Sequence, residues 1–221
     1  MLIYNMKREV ITTRDGSSTV AIPEMQVTYH SIHGAIQESM HVFIAAGLRY
    51  ASEQFSDRPL RIFEMGFGSG LNALLTAIEV KKTQRSVHYT SVEAYPLVAE
   101  EVKALNYGKS LNGEALIEQL HQVPWSQPTA LSPFFTLQKE QQTLADFTIE
   151  QPVHVIYYDA FAPAAQPELW TQAVFEKLYG MLVPGGVLVT YCSKSDVRRA
   201  MQAAGFTVTK LPGPLWKREM L

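Results

Sequence analysis

The sequence predicts an α/β fold built on a doubly wound, mostly parallel β-sheet. From Leu60 onward, short apolar segments alternate with segments whose apolar residues recur at helical spacing. The first apolar segment runs directly into a glycine-rich turn and then into a helical pattern. The chain has 221 residues, of which 47% are apolar and 18% charged, which is enough for one sizeable domain with a packed core. Strands that alternate with helices form a parallel sheet covered on both faces.

Residues 1–57 are predicted to be a small section that packs on this core. Val10–Thr13 and Thr19–Ile22 flank an Asp15-Gly16 turn, which favours a β-hairpin. The segment His33–Leu48 carries apolar residues at helical spacing and predicts a helix. No Pro- or Gly-rich linker follows, so we do not expect an independent domain.

Residues 58–221 are predicted to form the main domain. The expected strands are Leu60–Met65, His88–Glu93, Phe134–Lys139, Val153–Tyr158, Gly186–Tyr191, Thr207–Leu211 and Arg218–Leu221. The expected helices are Leu71–Val80, Leu97–Leu105, Glu168–Leu182 and Ser195–Ala204. Residues 106–133, which are rich in proline, break this alternation and are predicted to be an insertion beside the ligand cleft.

Composition restricts the class of protein. Cys192 is the only cysteine, which excludes an internal disulfide and a thiolate metal cluster, and the histidines show no ligand spacing, so we expect no metal. No apolar run reaches membrane-spanning length, and Met1–Lys7 lacks the features of a secretory signal. We therefore expect a soluble cytoplasmic protein. The net charge of −2 gives no general attraction for nucleic acid, so any such contact must be local.

The glycine-rich turn is the strongest sign of ligand binding. It has the form acid-x-Gly-x-Gly-x-Gly, with Glu64 followed by Gly66, Gly68 and Gly70. The dinucleotide fingerprint requires a glycine or alanine where Leu71 stands, so it fails. A strand that turns through glycines into a helix start presents backbone N–H groups to an anionic group. The turn predicts a site for the anionic end of a nucleotide-like cofactor, the alternative being an ordinary tight turn.

Two acids follow other predicted strands. Glu93 closes the second strand, where a carboxylate can accept hydrogen bonds from both hydroxyls of a ribose, although an exposed loop acid is the alternative. Asp159 follows the apolar strand Val153–Tyr158, at the edge where a doubly wound sheet binds ligands. An acid at the end of a buried strand has either a pairing or a functional reason.

Several motifs, in order along the chain, resemble a single family. They are Tyr29-His30-Ser31 with Glu38-Ser39, the run Gly66–Asn72, Asp159–Pro163, Pro167–Trp170 and Lys217–Leu221. Together they resemble the tRNA 5-aminomethyl-2-thiouridine methyltransferases, a family of stand-alone MnmD-type proteins and the methyltransferase half of MnmC. The resemblance covers nearly the whole chain. It implies a class I methyltransferase (Rossmann-like) sheet that is mostly parallel with an antiparallel last strand.

The resemblance also implies an activity and a set of site residues. The activity is methylation, by S-adenosyl-L-methionine, of the exocyclic amine of 5-aminomethyl-(2-thio)uridine at the wobble position in the anticodon loop of tRNA. Asp159 is implied as the catalytic acid beside the transferable methyl group and the target amine. The implied cofactor-binding residues are Glu64, Gly66, Phe67, Gly68, Gly70, Asn72, Glu93 and, next to the adenine, Glu140, with Asp146 as a weaker candidate. The candidate substrate residues are Lys217 and Arg218, together with Phe161 and Trp170, which like Tyr191 could stack on a base. Core packing is the alternative, and the expected one for at least one of these aromatics.

Some alternatives stay open at this point. Asp159 could take a proton from the amine or only orient it. Another transferase of the same fold, such as an aminopropyltransferase, and a non-catalytic RNA-binding protein on the same frame are the competing functions. Because the chain ends just after its last predicted strand, we expect no flavin-dependent oxidase half.

Overall fold

The structure is a computed structural model that describes residues 6–221. Residues 1–5 lie outside the described residues. The start of the predicted N-terminal section and most of the segment Met1–Lys7, for which no secretory signal is expected, fall there.

The N-terminal section contains a small antiparallel sheet of three strands, β1 (Glu9–Thr12), β2 (Ser18–Ile22) and β3 (Val27–Thr28). The predicted hairpin is confirmed, since Val10 pairs with Val20 and Ile11 with Thr19. The turn is held by Asp15, whose carboxylate accepts hydrogen bonds from the Thr13 hydroxyl at 2.6 Å and the Ser17 backbone N–H at 3.0 Å. The hairpin thus gets its shape from local polar contacts.

A continuous helical segment connects this sheet to the main domain. It consists of α1 (Ala35–Ser39), a π-helix (Met40–Arg49) and α2 (Tyr50–Gln54), so it is longer than the predicted His33–Leu48, and its middle half has the wider π form. Gly47 lets this helix approach the sheet, since a Cβ there would lie 3.0 Å from Tyr157 Cε1 and 3.1 Å from Val189 Cγ2. The N-terminal section therefore shares the core of the main domain.

The central sheet has six strands in the order β6-β7-β5-β4-β8-β9. They are β4 (Leu60–Met65), β5 (Val87–Val92), β6 (Thr129–Ser132), β7 (Phe135–Glu140), β8 (Val153–Tyr158) and β9 (Leu182–Val189). All neighbouring pairs are parallel except β6 with β7. The chain adds strands on one side of β4 and then crosses to add β8 on the other side. This is the topology of a doubly wound sheet, with the ligand crevice expected at the carboxyl ends of β4 and its neighbours.

Helices cover both faces of the sheet. They are α3 (Leu71–Thr83), α4 (Ala99–Ala104), α5 (Tyr107–Leu111), α6 (Glu114–Gln122), α7 (Gln172–Gly180) and α8 (Ser195–Ala203). Successive residues of a strand point to opposite faces. Accordingly Ile62 packs in one buried apolar cluster with Phe43 and Leu74, while Phe63 packs in a second cluster with Phe175.

The expected antiparallel last strand meets the sheet only at its end. The antiparallel strand of the six-stranded sheet is β6, at the opposite edge, and it arises from the predicted insertion 106–133, which also forms α5 and α6. The C-terminal strand β11 (Glu219–Met220) pairs with β10 (Leu211–Pro212) in a separate two-stranded sheet. Only its end touches the main sheet, through reciprocal backbone hydrogen bonds between Thr190 and Leu221. The predicted strand Thr207–Leu211 is correspondingly reduced to β10.

Two global features of the described residues bear on function. Within residues 6–221, no helix combines the length and the apolar character needed to cross a membrane. In the same part of the chain, no group of three or more His, Cys, Asp or Glu side chains is arranged to hold a metal ion.

Candidate active site

A cleft opens at the carboxyl ends of β4, β5 and β8. It is lined by the glycine turn after β4, by Val92–Tyr95 after β5, by Asp159–Phe161 after β8 and by Tyr29 and His30 from the N-terminal section. The cleft encloses about 690 Å³ of space between atoms, including the part open to solvent. Its position is the one that the sequence predicts.

The glycine turn owes its shape to backbone angles that other residues adopt with strain. Gly66, Gly68 and Gly70 have φ of +89°, +51° and +74°. Gly66 and Phe67 donate backbone hydrogen bonds to Val92 O, which ties the turn to β5. A Cβ on Gly68 would lie 3.1 Å from Cδ2 of Tyr29, a contact so tight that the Tyr29 ring or the turn would have to shift by a few tenths of an ångström.

Glu93 joins the end of β5 to this turn. Its Oε2 accepts the Gly68 N–H at 2.9 Å and its Oε1 accepts the Tyr95 N–H at 2.7 Å. Burial raises the pKa of the Glu93 carboxyl, while these backbone N–H groups lower it. Glu93 lines the cleft, with both carboxyl oxygens held by backbone N–H groups.

Asp159 lies at the floor of the cleft. Its Oδ2 accepts a hydrogen bond of 2.9 Å from Asn72 Nδ2, on the first turn of α3. Burial raises the pKa of Asp159 to about 7, with Glu38 acting in the same direction and the Asn72 hydrogen bond and Lys217 acting against it. This carboxyl can gain or lose a proton near neutral pH.

His30 is a neighbour of Asp159 that the sequence did not identify as functional. Its Nδ1 lies 3.9 Å from Asp159 Oδ2, and its Nε2 shares a 2.9 Å hydrogen bond with the Ser69 hydroxyl. Burial lowers the pKa of His30 to about 4, so the ring is neutral at pH 7. The only sequence signal was its place in the Tyr29-His30-Ser31 motif, because histidine by itself is equally common in cores.

Glu38 and Lys217 form a second polar contact near the floor. Lys217 Nζ donates to Glu38 Oε1 at 2.7 Å and lies 4.4 Å from the centre of the Tyr191 ring. The Glu38 side chain is 7% exposed and that of Lys217 33%. The structure thus brings the predicted Lys217 close enough to act on the pKa of Asp159 and adds Glu38, which the sequence did not assign to the site.

The aromatic candidates differ in position. Phe161 lines the cleft and contacts Tyr29 edge-on, with ring centroids 5.2 Å apart. Trp170 is 6% exposed and packs against Tyr158, Phe175 and Tyr191 in the core, so its predicted stacking on a substrate base is corrected. Its Nε1 instead donates to Phe161 O at 2.7 Å. Three aromatic neighbours thus bury the indole, and its N–H is bonded to the Phe161 backbone.

Other candidates also lie away from the cleft lining. Glu64 is 1% exposed inside the sheet. The Glu140 carboxylate accepts hydrogen bonds from Ser126 at 2.7 Å and Gln138 at 2.8 Å, and Asp146 accepts one from Thr143 at 2.6 Å. The Arg218 side chain is exposed. Phe67 and Asn72 do line the cleft.

The residues present fit S-adenosyl-L-methionine. The glycine turn leads into the start of α3, whose Asn72 lines the cleft, so the positive end of this helix lies at the ligand site. The Glu93 carboxyl and the Asp159 carboxyl lie in the same cleft on either side of that turn. These groups suit a ligand with a ribose at one end and a charged amino-acid end at the other.

Comparison with family models gives a match to the family described as S-adenosyl-L-methionine-dependent methyltransferase, over residues 137–221. This segment contains Asp159 and the C-terminal strands but not the glycine turn.

Two curated relatives match almost the entire chain. The tRNA 5-methylaminomethyl-2-thiouridine biosynthesis bifunctional protein MnmC of Paraburkholderia phymatum is 31% identical, over 96% of this chain and 34% of its own. The protein of the same name from Cupriavidus necator is 32% identical, over 86% of this chain and 30% of its own. This chain thus spans about a third of the length of these relatives.

The fold also matches a solved structure. The crystal structure of MNMC2 from Aquifex aeolicus has a TM-score of 0.77 and 23% identity, over 99% of this chain and 70% of that chain. The chain therefore has the class I methyltransferase fold and is a homologue of the MnmC proteins over nearly its whole length.

Proposed function

We propose that this chain is an S-adenosyl-L-methionine-dependent tRNA methyltransferase that methylates the exocyclic amine of 5-aminomethyl-(2-thio)uridine. The observation that carries the proposal is the pairing, in one cleft, of the glycine turn with Asp159, a buried acid whose pKa of about 7 suits proton transfer near neutral pH. The printed names of the relatives, which refer to 5-methylaminomethyl-2-thiouridine biosynthesis in tRNA, supply the substrate class.

The chemistry assigns separate tasks to the residues of the cleft. S-adenosyl-L-methionine, when bound, supplies a methyl group on a positively charged sulfur. Gly66, Gly68 and Gly70 would hold its amino-acid end and Glu93 its ribose. The amine nitrogen would form a bond to the methyl carbon as the carbon–sulfur bond breaks and S-adenosylhomocysteine leaves. The nitrogen would give up one proton, and the Asp159 carboxylate is the acceptor for that proton. The Asp159 carboxylate also orients the amine, because its oxygens accept hydrogen bonds from the N–H groups of the amine.

The surroundings of Asp159 favour a positively charged or neutral amine over an anionic group. Glu38 adds a second buried carboxyl and raises the pKa of Asp159, so the two carboxyls interact electrostatically. Lys217 partly balances them through its ion pair with Glu38. Phe161 at the cleft and the exposed Arg218 are proposed to contact the base and the phosphates of the anticodon loop.

The finer assignments are part of the same proposal. The substrate nucleoside is the wobble uridine, and the protein acts in the cytoplasm where its tRNA is found. Residues 58–221 form the methyltransferase domain, and residues up to 57 form the section that supplies Tyr29, His30 and Glu38 to it.

Methyl transfer from labelled S-adenosyl-L-methionine to tRNA that carries 5-aminomethyl-2-thiouridine tests the proposal. We expect one methyl group per modified nucleoside, identified by mass spectrometry as 5-methylaminomethyl-2-thiouridine, and none on tRNA that lacks the aminomethyl group. Calorimetry without detectable cofactor binding would favour the non-catalytic RNA-binding alternative. Activity only with the decarboxylated cofactor would favour the aminopropyltransferase.

A further inference from the structure

An apolar patch lies where the N-terminal section meets a turn near the C-terminus. The rings of His33 and Trp216 are in contact there, with their centroids 5.5 Å apart. Each ring follows an exposed apolar residue in the chain, since Ile32 is 50% exposed and Leu215 is 93% exposed. We call these four residues the rim patch. Single exposed apolar residues are normal, whereas contiguous ones occur at binding surfaces.

The turn that carries Leu215 has a defined shape. Lys217 donates its backbone N–H to Pro214 O at 2.7 Å, and Gly213 donates to Arg218 O at 3.2 Å. Pro214 is buried, so the turn is anchored on the protein while Leu215 stays in solvent. Because the backbone of the turn is already ordered, little entropy is lost when a partner covers Leu215.

The rim patch borders the substrate end of the cleft. On one side Ile32 follows His30, which lines the cleft, by two residues, so their Cα atoms lie within roughly 7 Å of each other. On the other side the Lys217 ammonium lies 4.4 Å from the centre of the Tyr191 ring. The Tyr191 hydroxyl donates to the backbone oxygen of Ala160 at 2.8 Å, and Ala160 lines the cleft directly after the proposed catalytic acid.

The chemistry of this border fits an RNA base beside the one that enters the cleft. A uridine that enters the cleft leaves the base stack of its loop, so its neighbour loses a stacking partner. Unstacked bases of RNA loops stack on aromatic side chains, and apolar side chains act as wedges between bases. Arg218 follows the patch and is exposed, which places a cation where the phosphate between the two nucleotides would lie.

We propose that the rim patch holds the anticodon-loop base adjacent to the methylated uridine, with the base covered by Leu215 and by Trp216, which the His33 ring supports. This inference rests on the proposed function, because it takes a tRNA anticodon loop as the substrate. It adds a contact outside the cleft, so the rim patch acts on RNA binding and not on methyl transfer.

The test variants are Trp216→Ala and Leu215→Ser, with Trp216→Phe as the conservative change. Fluorescence anisotropy measures the Kd of an anticodon stem-loop that carries 5-aminomethyluridine. We expect the Kd to rise about tenfold for Trp216→Ala, which loses base stacking, and to change less than about threefold for Trp216→Phe, which keeps a ring. For Leu215→Ser we expect a rise of about fivefold from lost apolar contact.

Two controls show whether these effects are specific. The Kd for S-adenosyl-L-methionine and kcat at saturating tRNA should stay within about threefold in all three variants, because neither Leu215 nor Trp216 lines the cleft. Leu215 is almost fully exposed, so its replacement tests the inference without loss of core packing. Tyr179→Ala is the matched surface control, because Tyr179 is 50% exposed, contacts Phe206 edge-on and does not line the cleft. Its stem-loop Kd should equal that of the wild type.

A stem-loop with an abasic site next to the uridine, placed in turn on its 5′ and 3′ sides, tests the contact directly. At one of these positions the wild type should bind about tenfold more weakly than to the intact stem-loop, whereas Trp216→Ala should bind both equally, since its contact is already lost. If Trp216→Ala and Leu215→Ser bind the intact stem-loop as the wild type does, the rim patch serves another partner and the inference is wrong. If the abasic effect appears but the wild type methylates no tRNA, the proposed function fails while the RNA contact stands.

Discussion

Asp159 combines burial with four different polar neighbours. Asn72 donates to it, neutral His30 lies 3.9 Å away, and Glu38 and Lys217 contribute opposing charges. The raised pKa follows mainly from burial, because a carboxylate loses its hydration at the floor of the cleft. A raised pKa of this kind makes a carboxylate a better proton acceptor than it is in water.

We expect Asp159→Asn to lower kcat for methyl transfer by about 100-fold or more, the usual contribution of general acid–base catalysis. The protonated acid cannot accept a proton, so wild-type kcat should rise with pH up to about 7. The substrate amine titrates in both proteins. The ratio of wild-type to variant kcat therefore isolates Asp159, and it should climb below pH 7 and level off above it.

The asparagine variant is matched in size and keeps hydrogen-bonding groups, so its cofactor Kd serves as the control for folding. We expect that Kd to stay within about threefold, since loss of the charge affects the reacting end of the cleft. Equal kcat for the two proteins across the pH range would contradict a proton-accepting role.

At the scale of elements, the glycine turn is fixed by β5 as much as by its own sequence. Its backbone N–H groups are taken by Val92 O and Glu93 Oε2, and the Tyr29 ring lies against Gly68. The end of β5, the turn and the N-terminal section thus meet at Gly68, where an added methyl group would be in tight contact with the Tyr29 ring.

Gly68→Ala should weaken S-adenosyl-L-methionine binding by about tenfold or more. Alanine at φ +51° costs roughly 1–2 kcal/mol, and its Cβ would press on the Tyr29 ring at 3.1 Å, so the turn must shift. Isothermal titration calorimetry measures the effect.

Gly180→Ala is the matched control, because Gly180 lies in α7 with no atom within 4 Å of an added Cβ. We expect its cofactor Kd to be unchanged. If both alanine variants bind the cofactor as the wild type does, the turn is not the binding element.

At the scale of the whole molecule, the N-terminal section is tied to the loop that follows β5. Arg8 donates to Tyr95 O at 2.9 Å, to Pro96 O at 3.1 Å and to Glu101 Oε2 at 3.2 Å, with its side chain 7% exposed. The loop that carries Glu93 is thus held from a part of the chain more than 80 residues away.

Arg8→Met keeps the apolar stem but removes these donors. We expect the free energy of unfolding to fall by about 1–3 kcal/mol, because partly buried acceptors lose their partners. The cofactor Kd should rise as the loop after β5 loosens. Urea unfolding and calorimetry check the two effects.

Arg14→Met provides the comparison within the same section. Arg14 is exposed, and its side chain makes no hydrogen bond to any of residues 6–221. A loss of stability as large as that of Arg8→Met would indicate that charge alone, and not the contact with the loop, is responsible.

The sequence by itself determined the elements whose signals are local. Leu60–Met65 and Val153–Tyr158 form strands with the predicted bounds, and the glycine turn precedes α3 as expected. Apolar periodicity and the positions of glycines determine the structure of only a few neighbouring residues, so they predict it without knowledge of the fold. Glu93 and Asp159 lie in the cleft because each follows a strand of a parallel sheet, and the carboxyl ends of such strands share one edge.

Only the tertiary structure decided which groups meet at that edge and which are buried. His30 contacts Ser69 across 39 positions, Asn72 contacts Asp159 across 87, and Lys217 contacts Glu38 across 179. Trp170 and Glu64 are buried in the core, and the antiparallel strand of the six-stranded sheet is β6 at its edge. These outcomes depend on which residues of the whole chain gain burial and hydrogen-bond partners. The ionisation of a carboxyl depends on the same burial and partners, which is why the protonation of Asp159 follows from the fold and not from the residue type.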